Sequence, residues 1–262
     1  MSESVHPTAI VDPDAELAGE VAVGPYAVIE GAVRIGPGSR IAAHAVVRSH
    51  SILGENVSVD SFAVIGGPPQ DLSFDLSTES YVRIGDGTVI REGVTVHRST
   101  RPGGVTVIGG KCLLMANAHV AHDCQLGDEV VLANNAMLAG HVHVGDASFL
   151  GGGCGIHQFV RIGRLAMVAG NASVTCDVPS YLMVAERSLV TGLNLVGMKR
   201  RLSGPAIAEL RGCYKSIYMK AGDPLKLAGE LRGRCPEARE FLACFSGDRQ
   251  RRVSRSRAQS RL

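Results

Sequence analysis

The sequence contains no tryptophan, and aromatic residues make up only 4% of its 262 residues. Such a composition argues against a globule packed around large aromatic side chains. No apolar stretch is long enough to span a bilayer, and residues 1–20 lack the basic start and apolar run of a signal peptide. We therefore expect a cytoplasmic protein without a transmembrane segment.

Cysteine pairs and basic patches are also missing. The seven cysteines are an odd number and none belongs to a CxxC pair, so the sequence indicates neither a disulfide framework nor a zinc knuckle. No basic segment is interleaved with aromatic residues, which argues against a nucleic-acid partner.

Glycine is abundant in the chain, at 32 residues, and the sequence has a repeat with a period of six residues. An aliphatic residue recurs at every sixth position from Val5 to Ile65, then in a new phase from Ile84 to Val96 and from Ile108 to Val174. The residue two positions earlier is almost always small or a valine, as at Ala27 and Ala118. Alternation with a period of two indicates short strands with one buried face, and glycine suits the tight turns between them.

Three such units close a triangular coil of eighteen residues. The pattern predicts a left-handed parallel β-helix, a hexapeptide-repeat solenoid, followed by a small α-helical C-terminal domain. About nine coils at the roughly 4.8 Å spacing of paired strands give a prism on the order of 40 Å long. Cys112, Cys124 and Cys154 fall in the small inward column, so we expect them to be buried packing residues rather than nucleophiles.

The period breaks twice, at residues 66–83 and 98–107. Insertions in a solenoid project as loops, and such loops often carry function. Helix-start signals appear only later, at Ser203, Asp223 and Cys235, each close to a proline.

These signals divide the chain into a β-helix over residues 1–189, a helical domain over 190–246 and a basic tail over 247–262. The tail carries six arginines against one acidic residue, Asp248. We expect it to be disordered, with contact to an acidic partner or a nucleic acid as the alternative.

The densest polar group runs from Asn117 to Cys124. Because positions eighteen apart lie one above another, His122, Gly140 and Gln158 share a column. A histidine beneath a glycine leaves room for a substrate and exposes backbone N–H groups, which suits a general base beside an oxyanion site. Asp123 lies beneath His141 in the next column, so it either pairs with His141 or, if a corner lies there, contacts His122 directly.

Several segments resemble the UDP-N-acetylglucosamine acyltransferases that begin lipid A biosynthesis in Gram-negative bacteria. The resemblance covers about residues 5–246. It is carried by PQDL at 69–72, IRE at 90–92, VHR at 96–98, NAHVAHDC at 117–124, LANNA at 132–136, LAGH at 138–141, HQF at 157–159 and KRR at 199–201.

The resemblance implies transfer of an R-3-hydroxyacyl group from acyl carrier protein to the 3-position of UDP-N-acetylglucosamine by a homotrimer. His122 would be the general base, Asp123 would orient it and the Gly140 N–H would stabilise the thioester oxyanion. No covalent acyl-enzyme, metal or cofactor is implied beyond the phosphopantetheine of the donor.

The resemblance also implies a set of substrate-binding residues. Of these, Asn194, Arg200 and Arg201 would lie near the uracil and diphosphate, where arginine suits phosphate. The residues are Gln70, Asp71, His97, His119, His141, His157, Gln158, Asn194, Arg200 and Arg201. Gly170 matches the position that limits acyl length, and a glycine there predicts a longer chain.

The chain departs from the family pattern at Ser73, where a lysine is usual, and at Val196, where an acidic residue is usual. These departures leave open whether the acceptor bears a 3-hydroxyl or a 3-amine. One alternative is the sister N-acyltransferase, although the hexads begin at Val5 and leave no room for its extra uridine-binding domain. Others are a non-catalytic solenoid and, as in hexapeptide-repeat carbonic anhydrases, a zinc protein with His119 and His122 as ligands.

Overall fold

The computed structural model describes residues 5–247 and 250–259. Over these residues the strands in chain order are β1 Ile10–Val11, β2 Glu16–Leu17, β3 Ala22–Val23, β4 Val28–Ile29, β5 Arg34–Ile35, β6 Arg40–Ile41, β7 Val46–Val47, β8 Ser51–Leu53, β9 Ser58–Val59, β10 Val64–Gly67, β11 Tyr81–Ile84, β12 Val89–Ile90, β13 Thr95–His97, β14 Val105–Ile108, β15 Leu113–Leu114, β16 His119–Val120, β17 Gln125–Leu126, β18 Val131–Leu132, β19 Met137–Leu138, β20 His143–Val144, β21 Phe149–Leu150, β22 Gly155–Ile156, β23 Arg161–Ile162, β24 Met167–Val168, β25 Ser173–Val174, β26 Leu182–Ala185, β27 Leu189–Leu193 and β28 Arg255–Ser256. The helices are α1 Leu195–Arg201, α2 Gly204–Tyr218, α3 Pro224–Gly229 and α4 Pro236–Ala243.

The strands form three long sheets that are the walls of a triangular prism. Sheet 1 has the order β1-β4-β7-β10-β13-β16-β19-β22-β25, sheet 2 the order β2-β5-β8-β11-β14-β17-β20-β23, and sheet 3 the order β28-β27-β26-β24-β21-β18-β15-β12-β9-β6-β3. We call the corner between sheets 1 and 2 the first corner, that between sheets 2 and 3 the second, and that between sheets 3 and 1 the third.

The pairing register follows the predicted coil length. His119 pairs with Met137, and Met137 pairs with Gly155, so paired residues are eighteen positions apart. At most corners one residue turns the chain with a positive φ, for example 61° at Asp123 and 62° at His141. This left-handed backbone conformation lets six residues complete one wall and one corner.

The core consists of the stacked aliphatic rows and the small column beside them. Side chains such as Ile65, Leu114 and Leu138 are completely buried. Cys112, Cys124 and Cys154 are at most 1% exposed, and burial raises the pKa of all three thiols. Their prediction as packing residues is confirmed.

Both breaks in the period leave the prism at the first corner. The first loop connects β10 of sheet 1 to β11 of sheet 2, and the second connects β13 to β14. The loops are shorter than the breaks, because β10 continues to Gly67, β11 begins at Tyr81 and β14 begins at Val105.

The C-terminal region starts with an antiparallel hairpin of β26 and β27, which the hexad pattern does not predict. Ser203, Asp223 and Cys235 are the N-caps of α2, α3 and α4, at the three predicted starts. No helix in the described part of the chain is long and apolar enough to cross a membrane.

The expectation of a disordered tail is wrong for residues 250–259. Strand β28 pairs in parallel with β27, and Val253 and Ser254 are buried. The Gln259 side chain is also buried and donates to the carbonyl of Ile217 at 2.6 Å, near the end of α2. Residues 248–249 and 260–262 of the predicted tail lie outside the described residues.

Candidate active site

The predicted catalytic column and both loops lie at the first corner, in consecutive coils. Thr95 of β13 pairs with His119 of β16, so the second loop lies in the coil directly beneath His122. Gly140 occupies the same corner one coil above, and Gln158 the coil after that.

The corner geometry lets Asp123 reach the residue that precedes it. Its Oδ2 lies 2.9 Å from Nδ1 of His122 and 3.8 Å from Nε2 of His141. Both contacts that the sequence left open are therefore present, but only the contact with His122 has hydrogen-bond length. His141 stacks on Phe159, with 4.5 Å between the ring centroids.

The second loop supplies the other partners of Asp123. The Ser99 hydroxyl donates to Oδ1, while the hydroxyl and the backbone N–H of Thr100 donate to Oδ2 at 2.7 and 3.1 Å. Arg101 Nε donates to Oδ1 at 3.3 Å. Burial alone would raise the pKa of the Asp123 carboxyl, but hydrogen bonds from His122, Ser99 and Thr100 outweigh it and hold the pKa well below its usual range. The carboxylate is therefore ionised and fixed in orientation.

The sequence offers only an indirect signal for these loop donors. Ser99 and Thr100 follow Arg98, at the start of the second break in the period, and the coil above that break contains Asp123. The period places the loop under the carboxylate, but it does not tell which loop residues turn inward.

Gly140 lies against the His122 ring. A Cβ at this position would lie 2.6 Å from Nε2 of His122 and closer still to Cε1, so no other residue fits while the ring stays in place. Earlier coils have proline at the same hexad position, as at Pro25 and Pro37, so the fold does not need this N–H. Within the described residues no acceptor takes the Gly140 N–H, which leaves it available to a ligand.

A cavity of about 460 Å³ opens on sheet 1 beside this corner. The predicted site residues on its walls are Gln70, His97, His119, His122, Gly140 and His157. Sheet 1 completes the walls with residues such as Met137, Gly155 and Ser173. A larger cavity of about 660 Å³, lined by Asp12, Asp14 and other residues, contains none of the predicted site residues.

Two histidines in the cavity are neutral at pH 7. Burial, together with the neighbouring His119 and His122, lowers the pKa of His97 to about 4. Burial also lowers the pKa of His119, whose Nδ1 lies 2.7 Å from the Thr95 hydroxyl. The buried Nδ1 of His97 has no hydrogen-bond partner among the described residues. These rings can therefore offer hydrogen bonds to a substrate, but not charge.

Two of the predicted nucleotide-binding residues already have partners elsewhere. Asn194 caps α1: its Oδ1 accepts from the Gly197 N–H at 3.0 Å, and its Nδ2 donates to the Leu165 carbonyl at 2.9 Å. Arg201 forms a two-pronged ion pair with Glu129, at 2.5 and 3.1 Å. Glu129 is at the second corner, so the KRR segment and His122 lie at different corners of the same prism.

The remaining predicted residues lie outside the cavity walls. Arg200 is exposed on α1 and Gln158 is exposed at the first corner. Asp71 is exposed in the first loop, where it accepts hydrogen bonds from Ser73. Gly170 lies at the third corner, at the opposite edge of sheet 1.

One side-chain group in the described residues has the composition of a metal site. Ligand-type atoms of His122, Asp123 and His141 lie within 4.8 Å of one another. This group differs from the predicted zinc pair, since His119 contacts Thr95 instead. The oxygens of Asp123 already accept hydrogen bonds from the second loop, so a metal would have to compete with those donors.

Comparison with known proteins relates this geometry to a family. The family model described as Udp N-acetylglucosamine O-acyltransferase, Domain 2, matches residues 177–253, and the Bacterial transferase hexapeptide (six repeats) model matches residues 106–140. An acyl-[acyl-carrier-protein]–UDP-N-acetylglucosamine O-acyltransferase of Syntrophobacter fumaroxidans is 41% identical over 261 residues, covering 96% of this chain and 99% of its own. The chain belongs to this acyltransferase family.

Further members of the acyltransferase family agree over the whole length. A relative of the same name from a Janthinobacterium species is 44% identical, covering 91% of this chain and 93% of its own. The UDP-N-acetylglucosamine acyltransferase of Francisella novicida superposes with a TM-score of 0.92 at 31% identity, covering 98% of this chain and 96% of its own. The UDP-N-acetylglucosamine acyltransferase of Campylobacter jejuni superposes with a TM-score of 0.91 at 32% identity, covering 97% of this chain and 100% of its own. The left-handed β-helix with a helical C-terminal domain and the family resemblance, both predicted from the sequence, are confirmed.

Proposed function

We propose that the protein transfers an R-3-hydroxyacyl chain from acyl carrier protein to the 3-hydroxyl of UDP-N-acetylglucosamine, the first step of lipid A biosynthesis. The names of its relatives supply the donor and acceptor classes. The observation that carries the proposal is the arrangement in which buried, ionised Asp123 holds His122 against Gly140. The reaction takes place in the cytoplasm and needs no cofactor beyond the donor's phosphopantetheine.

In the proposed mechanism His122 is a general base. Its Nδ1–H donates to Asp123, which leaves Nε2 free to take the proton of the sugar hydroxyl. As that proton leaves, the hydroxyl oxygen forms a bond to the thioester carbonyl carbon. The C–S bond then breaks, the proton passes from His122 to the departing thiolate, and free carrier thiol is released without a covalent acyl-enzyme.

The Gly140 N–H is the proposed oxyanion donor. It is not used by the fold and lies beside the His122 ring, so base and donor face the same reacting carbonyl. One such donor contributes on the order of 10²- to 10³-fold in rate, and a positioned base about 10²- to 10⁴-fold. Neutral His97 and His119 on the cavity wall are suited to hydrogen-bond the sugar or the acyl hydroxyl.

The active form is proposed to be a homotrimer with its clefts between subunits. In one chain Arg201 lies with Glu129 at the second corner, whereas His122 lies at the first. A neighbouring subunit that packs its second corner against the first-corner cavity would supply Arg200 and Arg201 to the diphosphate. Mixing His122→Ala and Arg201→Ala subunits tests this arrangement, because a mixed trimer regains clefts with both native residues. A mixture no more active than either variant would contradict it, as would a monomer by light scattering.

Acyl length is proposed to be limited at Gly170. A Cβ there would meet only the backbone of Gly152, with the carbonyl oxygen at 3.3 Å. Glycine itself adds no side chain to the third corner, so we expect the protein to prefer longer acyl chains.

The two departures from the family pattern bear on the acceptor. Ser73, in the place of the usual lysine, donates to Asp71 through its hydroxyl at 2.7 Å, so the loop holds this carboxylate itself. Val196, in the place of the usual acidic residue, is 64% exposed in the first turn of α1. Because these departures leave open whether the acceptor bears a 3-hydroxyl or a 3-amine, both forms of the acceptor should be assayed.

The decisive experiment incubates the protein with 3-hydroxyacyl carrier proteins of graded chain length and UDP-N-acetylglucosamine. We expect acylated sugar nucleotide with wild type and a loss of at least about 100-fold with His122→Ala. No product, or full activity of His122→Ala, would refute the assignment. Zinc bound in a 1:1 ratio and required for a different activity would favour the metal alternative. Transfer only to an amine acceptor would favour the N-acyltransferase.

A further inference from the structure

The arginine-rich tail reaches the candidate active site. From residue 250 the chain runs beside the last coil: the Asp177 N–H donates to the Arg252 carbonyl at 2.7 Å, and the Ser254 N–H donates to the Asp177 carbonyl at 2.8 Å. Farther along, the Ser256 hydroxyl donates to the Tyr218 carbonyl at 2.7 Å. These bonds fix the path of the tail on both sides of Val253, which is buried.

This path brings Arg251 to the first corner, one coil above Gly140. Its Nη2 lies 2.7 Å from Nδ1 of His157, and its Nε donates to the carbonyl of Gln158 at 2.9 Å. The guanidinium therefore contacts two adjacent residues with the planar fork that lysine lacks. His157 is a wall residue of the His122 cavity, so Arg251 contacts a residue of that wall without lining the cavity itself.

The contact specifies which nitrogen of His157 carries the proton. A guanidinium has only donors, so Nδ1 must accept from it, and the proton of the neutral ring is on Nε2. The competing contact, from Nδ1 to the Gln158 carbonyl, is 3.4 Å long and that oxygen already accepts from Arg251. The ring therefore presents an Nε2–H donor for an acceptor oxygen of the bound substrate.

We infer that Arg251 is a positioning residue for the acyl transfer, which fixes the orientation and the Nε2–H tautomer of His157. The inference rests on the proposed function for its kinetic consequence, but the tautomer itself is a property of the free protein. The tail is thus a part of the substrate site rather than a solvated end.

The test compares Arg251→Ala and Arg251→Lys with Arg257→Ala as the matched control. Arg257 lies in the same tail but is exposed, and it pairs with Glu186 rather than with His157. Nitrogen NMR of the imidazoles, with His157→Gln for assignment, reports the tautomer without substrate. We expect a nearly complete Nε2–H population at His157 in wild type and Arg257→Ala, and a smaller Nε2–H population in Arg251→Ala.

Kinetics provide the second readout. Loss of one oriented hydrogen-bond donor predicts a KM about five- to tenfold higher in Arg251→Ala, with kcat changed less. Arg251→Lys should not restore the wild-type KM. In a His157→Gln background, Arg251→Ala should cause no further change in KM. Equal melting temperatures of the arginine variants exclude unfolding as the cause.

The outcomes separate this inference from the proposed function. An unchanged tautomer in Arg251→Ala, or a KM equal to that of Arg257→Ala, overturns the positioning role even if acyl transfer is confirmed. If wild type transfers no acyl group but the tautomer depends on Arg251, the proposed reaction fails while Arg251 still orients His157 for another ligand.

Discussion

Gly140→Ala is the smallest chemical change that should separate the His122 ring from Asp123. A methyl group at residue 140 would lie 2.6 Å from Nε2 of His122, whereas ordinary contact begins at 3.4 Å. The ring must therefore move by about 0.8 Å or more, since the neighbouring Cε1 is closer still. The backbone N–H proposed as oxyanion donor remains.

The movement is enough to disrupt the pair with Asp123. Nδ1 of His122 is 2.9 Å from Oδ2, and a displacement of that size along the bond takes it beyond hydrogen-bond length. We expect kcat to fall about 100-fold or more, approaching the loss in His122→Ala. Because Asp123 keeps its donors from the second loop, we expect stability to fall by only about 1 to 3 kcal/mol.

The assay measures kcat and KM for acyl transfer together with the free energy of unfolding in urea. Gly19→Ala is the matched control: residue 19 has the same hexad position, and a Cβ there meets nothing within 4 Å. The sharper control is the His122→Ala background, where the ring is gone and the methyl group has no ring to displace.

In that background Gly140→Ala should change kcat by less than about twofold. A further large loss would show that residue 140 acts independently of the ring, through the position of its own N–H. Wild-type activity of Gly140→Ala alone would refute the packing argument and with it the close approach of His122.

Three further outcomes follow from the site. Asp123→Asn should cost about 2 to 3 kcal/mol in urea unfolding and lower kcat about 100-fold or more, because an amide cannot accept from every donor of a buried carboxylate; equal stability would contradict this. His97 has its pKa lowered from 6.5 to about 4, so stability should be intact above pH 6.5 and decrease as pH falls towards 4. His97→Gln should make the free energy of unfolding depend less on pH over that window. An unchanged pH dependence would count against a buried neutral ring at His97. Gly170→Met should shift the preferred donor to shorter chains in a competition assay, and an unaltered product profile would remove residue 170 from the acyl groove.

Much of the fold and part of the site could be predicted because the period is strict. Once hexads are recognised, residues eighteen apart must stack, so His122, Gly140 and Gln158 fall into one column by counting alone. The same counting places both loops beside that column. Contacts that need only the repeat are predictable from the sequence, since the repeat fixes their geometry.

Contacts that depend on irregular backbone could not be predicted. The donors to Asp123 come from a loop whose path is not periodic, and the reach of Asp123 to His122 depends on a left-handed corner that a strand pattern does not show. The tail was misjudged because its arginines dominate its composition. Its order depends on a few residues, such as Val253 and Gln259, whose partners lie far away in the sequence.

Strand β28 also forms the last edge of sheet 3, where a further strand could otherwise pair. It is the outermost strand of sheet 3, beside β27; the exposed Arg255 is its first residue and the exposed Arg257 follows the strand directly. An open parallel edge invites another chain to pair with it, and arginines beside a two-residue strand discourage such pairing. An uncovered last strand of a solenoid could pair with another chain, so the tail whose Arg251 contacts His157 also shields this edge of sheet 3.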